Sequence, residues 1–437
     1  GNFSVEYGRF SGGMVDVRMR RPKKDRIHGR VEADVFDAGF FLEGPITDHL
    51  TFAISARRSY IDALLLAVIP DDAPISFDIA PRYYDYQAVL DYKRGPHQVH
   101  FDFLGSDDRL SLLLPESAEG DPALRGNIDT LTGFERGYLS WKWRISPDIT
   151  NEASFSVNRN VARINIGPEL RFINTAWLLS GREDIQIKMA PWAKFRAGFD
   201  FEGFIGNIDI QLPQAPKEGG DRGQSFSTRE ILSVQRDYQF LNPAVWSEVR
   251  LDLFDKRLTL IPGIRFDYDA YLDDLVADPR LTVRYELVKK KTVVKAGVGL
   301  FTKRPDPDES DPDFGNPEVD MERSLHVSAG FEQQLSERWR LDIIGFYKFL
   351  YNQIAELPLD DTGDALAGNP GFRTLDNAGK GRVYGMELLL KHNLKNGFFG
   401  WLSYTLMRSE RKDPGSDTYR LFDVDQTHIL TLLGMYK

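Results

Sequence analysis

The acidic stretch RPDPDESDPDFGNPEVD, Arg304 to Asp320, packs seven carboxylates into seventeen residues. Oxygen ligands at that density suit a hard cation such as Ca²⁺. Asp306, Asp308, Asp311 and Asp313 are the candidate metal ligands. The D-x-D-x-D-G spacing with a distant glutamate, which marks an EF-hand loop, is missing. The plainer account is a solvated loop. A second set is basic: Arg57, Arg196, Arg250 and Arg265 stand among Asp200, Glu202, Asp252, Asp267 and Asp269. These arginines are candidates for contact with an anionic small-molecule substrate, and ion pairing with neighbouring carboxylates is the competing account. The seven histidines are scattered, with His97 read in a turn and His100 on a strand, and no H-E-x-x-H occurs. The glycine-rich GRFSGG and NAGKGR lack the phosphate-loop form, and no serine has a nucleophile-elbow context. No catalytic constellation or cofactor signature emerges, so an enzyme is not expected.

The elements that position these residues are strands. In GYLSWKWRISPDITNEASFSVNRN, Gly137 to Asn160, Leu139, Trp141, Trp143 and Ile145 alternate with Ser140, Lys142 and Arg144. After the Ser146–Asp148 turn, Ala153, Phe155 and Val157 alternate with Glu152, Ser154, Ser156 and Asn158. Strict alternation means a half-buried β-strand. The pattern recurs around Tyr84–Tyr92, Phe195–Glu202, Glu248–Leu253, Leu258–Asp269 and Trp339–Phe349. About 18 such runs are expected, many of about 10 residues, the length of a membrane-barrel strand. Short turns at Gly44–His49, Gly95–His97, Ser146–Asp148, Phe254–Lys256, Leu335–Arg338 and Lys395–Gly397 alternate with long polar segments. The long ones are Ile61–Ala80, Gly105–Thr130, Gln211–Val234, Lys303–Asp320, Ala355–Gly379 and Arg408–Arg420. Such sorting fits an outer-membrane barrel, with short periplasmic turns and long outside loops. Tyr84, Tyr86, Trp141, Trp143 and Phe199 then face lipid, Trp141 in mid-strand, and the arginines face a wet lumen. A soluble β-sandwich offers the same alternation and stays open at this point. The apolar segment Tyr60 to Pro74 reads as a short helix in an outside loop.

Bulk properties agree with this. The 437 residues carry 65 acids against 55 bases, a net charge of −10, which argues against nucleic-acid binding. No cysteine is present, so disulfides and thiolate metal sites are excluded. The longest apolar run, Ala63 to Ile69, is far too short for a spanning helix of about 20 residues. Barrels escape such a search because alternate residues face the lumen.

Several segments, in order, resemble the TonB-dependent receptors of the Gram-negative outer membrane. VEYGRFSGGMVDVRMRRPK, Val5 to Lys23, is similar to the last strand of that family's plug. EGPITDHLTFAISARRSYID, Glu43 to Asp62, resembles an early barrel strand pair and its turn. GNPEVDMERSLHVSAGFEQQL, Gly315 to Leu335, and NAGKGRVYGMELLLK, Asn377 to Lys391, look like the family's NP-x-L-x-x-E-x-S and R-x-Y-G-x-E-L segments. GWLSYTLMRSE and FDVDQTHILTLLGMYK continue in family order. The resemblance implies an all-β transmembrane antiparallel barrel, 22-stranded in the full-length family. Residues 1–24 are expected to be the end of the plug domain, and residues 25–437 a barrel lacking its last strands. It further implies uptake of a scarce nutrient: a ferric siderophore, cobalamin, a metal chelate or an oligosaccharide. The implied partners are the TonB–ExbB–ExbD complex, outer-membrane lipid and lipopolysaccharide. A passive porin, a surface adhesin and a soluble glycan-binding β protein are the alternatives. With no TonB box and about four strands fewer than the family's barrel, the chain is expected to be an internal piece of a longer protein.

Overall fold

A computed structural model describes residues 3–62, 76–114, 126–167, 170–213, 231–307, 309–312, 315–357, 375–395 and 397–436. The expected helix from Tyr60 to Pro74 lies almost wholly outside them, as do Asp308 and Asp313. Among the described residues every strand belongs to one 19-stranded antiparallel sheet. The chain divides into two compact units. One holds residues 16–184 and 200–242, the other residues 1–15, 185–199 and 243–437.

The first of these contains β1 (His28–Ala33), β2 (Asp37–Pro45), β3 (Leu50–Ser59), β4 (Ser76–Arg94), β5 (His97–Leu114), β6 (Gly126–Arg144) and β7 (Ile149–Ile166). Each pairs antiparallel with the next. Three further strands come next: β8 (Leu170–Ala190), β9 (Ala193–Pro213) and β10 (Ile231–Leu253). The other unit adds β11 (Leu258–Asp269), β12 (Asp274–Val288), β13 (Thr292–Lys303), β14 (Glu322–Gln334), β15 (Trp339–Glu356), β16 (Leu375–Lys395) and β17 (Phe398–Lys412). The two-residue β18 (Arg420–Leu421) and β19 (His428–Tyr436) both pair with β17.

The hairpin of β6 and β7 has the register that its alternation dictates. Leu139 pairs with Phe155, Trp141 with Ala153 and Lys142 with Glu152. The Lys142–Glu152 pair closes at 3.0 Å on the polar face. Trp141 and Trp143 stack at 5.7 Å, and His97 stacks on both at 5.8 Å. His97 therefore heads β5 rather than sitting in a turn; the turn is only Gly95 and Pro96, with Gly95 at φ +55°. A two-residue hairpin demands such a left-handed position, and glycine takes it without steric cost.

Several expected loops are partly strand. β5 runs to Leu114 and β6 begins at Gly126, so much of Gly105–Thr130 is paired. The same holds for Gln211–Pro213, Ile231–Val234, Leu375–Gly379 and Arg408–Lys412. Strands β4 to β10 run 18 to 23 residues, about twice what a bilayer needs. Beyond the bilayer both faces meet water, so the apolar alternation fades while the backbone ladder continues. The short connections 167–169 and 270–273 also break the expected alternation of short and long.

Gly385, in the R-x-Y-G-x-E-L segment, pairs with Met407 on β17. A Cβ there would lie 2.3 Å from the Leu406 carbonyl oxygen. Any larger residue must push β16 and β17 apart, which accounts for this glycine physically.

Candidate functional site

In the unit of residues 1–15, 185–199 and 243–437, the N-terminal residues Phe3 to Ser11 meet one face of the strands from β10 to β15. Four charged side chains beneath them form a ladder. Arg265 and Asp267 are two apart on β11, so they share a face; Asp278 and Arg280 do the same on β12. Arg265 stands directly across from Asp278 in the register. Arg265 and Asp278 are each 1% exposed, and Arg280 is 5% exposed. Burial of charge is tolerable only with full pairing, and the pairing is extensive. Arg265 makes a two-pronged contact with Asp267, at 2.7 and 2.8 Å. Arg280 Nη2 reaches Asp278 at 3.4 Å, and Thr302 donates its hydroxyl and its backbone N–H to the same carboxylate at 2.8 and 3.2 Å.

The remaining guanidinium N–H groups hold the N-terminal segment by its backbone. Arg280 Nη1 donates to the carbonyls of Tyr7 at 2.6 Å, Ser4 at 3.0 Å and Phe3 at 3.5 Å. Arg265 Nη1 donates to Glu6 O at 3.3 Å and Val5 O at 3.5 Å. Lys348 on β15 donates to Ser11 O at 3.2 Å. The Arg280 guanidinium also packs against the rings of Phe3, at 4.8 Å, and Phe301, at 4.2 Å, which touch each other at 4.7 Å. Side chains add the rest. Glu6 meets Arg196 at 2.5 Å, Ser4 donates to Glu248 at 2.8 Å, and Arg9 meets Asp267 at 3.2 Å. Arg9 adopts a left-handed backbone, φ +67°, a strain that its ion pair helps to hold. A Cβ at Gly8 would stand 2.2 Å from Arg265 Nε, so only glycine lets the segment sit this close.

An extended segment gripped inside a long-stranded antiparallel meander calls for comparison with known proteins. The family model for the TonB dependent receptor-like β-barrel matches residues 70–434. The chain belongs to this family. No curated protein matches the chain in sequence. Among solved structures, a mutant of the ferric enterobactin receptor of Pseudomonas aeruginosa is similar, with a TM-score of 0.62 at 14% identity over 90% of this chain. The siderophore receptor PirA of Acinetobacter baumannii gives 0.68 at 14% identity over 96% of the chain. The outer membrane transporter YddB of Escherichia coli gives 0.65 at 11% identity over 98%. The chain spans 66%, 67% and 68% of those three structures. The fold is thus the transmembrane antiparallel β-barrel of TonB-dependent receptors, in the outer membrane of a Gram-negative bacterium, and the soluble sandwich is set aside.

Against this receptor fold the four arginines singled out by sequence separate. Arg196 and Arg265 meet the N-terminal segment. Arg250 pairs with Asp252 of its own strand at 3.0 Å and stays half-exposed. Arg57, in the other unit, meets Asp85 at 2.5 Å and Asp37 at 3.7 Å, over the Tyr83 ring. That unit holds a second clasp on the N-terminal chain. Arg20 forks the buried Glu43 carboxylate at 2.7 and 2.8 Å, and Arg21 approaches Asp91 at 3.8 Å. Arg280, Asp278, Lys348 and Glu43 are not among the residues that sequence reading singles out. A signal for Arg280 is nonetheless there: Asp278-Pro279-Arg280 repeats, one strand on, the two-residue spacing of Arg265 and Asp267.

Among the described residues, no group of three or more His, Cys, Asp or Glu is placed to hold a metal. Asp306 pairs with Lys303 at 3.3 Å, and its N–H donates to Glu309 at 2.7 Å. Asp311 caps the Gly315 N–H through its carbonyl. Burial pushes the Glu309 carboxyl from its ordinary 4.5 up to about 7, and Glu322 adds to the rise. The folded turn therefore binds this proton more tightly than the unfolded chain does, and it loses stability as pH rises from 4.5 through about 7. Glu309→Gln should remove that slope. The check is hydrogen-exchange protection of the Ser310 and Gly315 amides between about pH 5 and pH 8, corrected for intrinsic exchange.

Of the aromatics expected to face lipid, Trp141 is 38% and Phe199 50% exposed, while Tyr84, Tyr86 and Trp143 are half-buried. Trp141 is not in mid-strand. β6 ends at Arg144, which puts both tryptophans beside the short turn.

Proposed function

We propose that this chain forms the wall of a receptor that imports a scarce nutrient, a ferric siderophore, using energy delivered by the TonB–ExbB–ExbD complex. The observation that carries the reading is the buried arginine ladder closed over the N-terminal segment. A passive pore needs no such grip, whereas a gated importer must hold its obstruction firmly and release it only under work. On this reading residues 1–24 are the end of a plug, and residues 25–437 belong to the barrel around it. Two of the similar structures are receptors named for siderophores, which supports the substrate class. The reading assigns no catalytic step and no nucleic-acid partner.

The test is growth on iron bound to siderophores. Cells lacking the gene should fail to use at least one ferric siderophore under iron limitation, and cells lacking TonB should show the same defect. Uptake that persists without TonB would replace the reading with a passive porin. Normal uptake of every siderophore without the gene would leave an adhesin or another cargo.

A further inference from the structure

In the unit that holds residues 185–199 and 243–437, four hairpins stand side by side at the short-turn edge. Their turns are 191–192, 254–257, 289–291 and 335–338. A backbone hydrogen bond ties each hairpin to the next. Asp252 N–H donates to Trp192 O at 2.7 Å, Glu286 N–H to Arg257 O at 2.7 Å, and Gln334 N–H to Lys291 O at 2.8 Å. This edge is cationic in a chain whose net charge is −10. Lys256, Lys289, Lys290, Lys291 and Arg338 lie on the turns, and Lys194 lies just past the first. All six are exposed, and none makes an ion pair among the described residues. The acids on these turns are Asp255 and Glu337, and the nearby Glu286 carboxylate accepts the Lys290 N–H at 2.6 Å. At the opposite end of the same unit the cations are paired: Lys303 with Glu322 at 3.2 Å, Arg304 with Asp269 at 3.0 Å and Arg420 with Asp413 at 2.7 Å.

Backbone conformation sets two of these lysines apart. Lys256 has φ +66° and Lys290 φ +58°. Glycine or asparagine takes such a left-handed turn position at little cost, whereas a long side chain is strained there. Two other short turns of this chain do use glycine, Gly95 at φ +55° and Gly397 at φ +80°. A turn that only had to reverse the chain would do the same. Lysine held at a conformational cost points to a use for its charge.

The short turns face the periplasm in this fold. We propose that their cationic edge docks peptidoglycan, the carboxylate-bearing polymer of that compartment, and tethers the receptor to it. Neighbouring hairpins are two strand spacings apart, so the row of tips runs roughly 30 Å. It is flat, because no turn exceeds four residues. Five of its six cations are lysines, point charges that meet single carboxylates without demanding a fixed geometry. A long polymer with carboxylates at intervals engages such a row by many weak contacts at once. A compact protein partner would instead need a packed centre of anchoring side chains.

The experiment co-sediments the full-length receptor, purified in detergent, with isolated peptidoglycan sacculi. The receptor should pellet with them at low salt and stay in solution at high salt. Amidating the free carboxylates of the sacculi should weaken binding about fivefold or more. Lys289→Gln, Lys290→Gln and Lys291→Gln combined should weaken it about tenfold. Lys290→Gly should bind about twofold more weakly yet unfold no more easily than wild type, because glycine suits the turn. Arg163→Gln, an exposed cation near the outer end of β7, is the control and should change nothing. No sedimentation with sacculi, equal binding of amidated sacculi, or a triple variant indistinguishable from the control overturns the proposal. So do phosphatidylglycerol vesicles that bind through these lysines where sacculi do not, which would make the edge a membrane contact.

Discussion

Arg280→Ala will release the N-terminal segment and destabilise the wall beneath it by about 3–5 kcal/mol. The side chain serves three ends at once: it neutralises Asp278, it accepts the faces of Phe3 and Phe301, and it donates to three backbone carbonyls. Truncation leaves Asp278, 1% exposed, without its arginine partner and held by the Thr302 hydroxyl and N–H. An uncompensated buried carboxylate dominates the cost. Arg280→Lys should recover part of the charge pairing but not the fork, because one ammonium cannot reach Asp278 and the carbonyls together. The checks are denaturant unfolding of the receptor in detergent and proteolysis within residues 12–20. Faster cleavage there with unchanged barrel stability would separate the grip from the fold. Wild-type behaviour in both assays would show that the ladder holds nothing.

Leu139→Arg will cost about 2–4 kcal/mol, whereas Trp143→Arg will cost about 1 kcal/mol or less. The difference comes from depth. On β6 the apolar stretch of the Trp141 face runs from the Glu135–Arg159 pair to Trp143. Eight residues at a strand's rise span roughly 26 Å along the strand, which at a tilt of roughly 40° is about 20 Å of depth, most of a barrel's lipid-facing band. Leu139 lies at its centre and is 46% exposed. The tryptophans, with His97, mark its turn-side edge, where amphipathic rings belong. Lys142→Ala, on the opposite face, removes only a half-exposed pair with Glu152 and should cost well under about 1 kcal/mol. Refolding the full-length receptor into lipid vesicles and titrating denaturant measures all three. Equal costs for Leu139→Arg and Lys142→Ala would reverse the assignment of faces.

The turn-side half of the β6–β7 hairpin is legible residue by residue because one face of it, Gly137 to Trp143 opposite Ala153 to Val157, is apolar, and a one-residue slip would move that whole set to the other face. The upper reaches of β5 and β6 are not. Ser106-Asp107-Asp108-Arg109 reads as loop, yet it continues the ladder, since paired backbone in water needs no apolar alternation. The arginines show the same limit. Alternation puts Arg196 and Arg265 on a polar face, but it cannot say that a distant stretch of the same chain will occupy them. Arg280 is hidden by Pro279, a residue that argues against the interior of a strand. Glu43 looks like a turn-side carboxylate, and only the path of the N-terminal chain reveals it as the receiver of Arg20.

The way Arg265 and Arg280 are neutralised determines the state of the wall once the segment leaves. Each already has an aspartate two residues away on its own strand, and what each offers the segment is hydrogen bonds to main-chain oxygens. Departure therefore strips neither of these two arginines of its counter-charge, and the ion pairs it does break, Glu6 with Arg196 and Arg9 with Asp267, take away one charge of each sign. Water can replace the lost carbonyls one for one, and the emptied surface keeps its shape and its electroneutrality. A catch of this kind resets by itself: it can let go and take hold again many times without the wall relaxing into another state. Because it reads backbone, it also tolerates drift in the side chains it holds, with Gly8 the position where that tolerance ends.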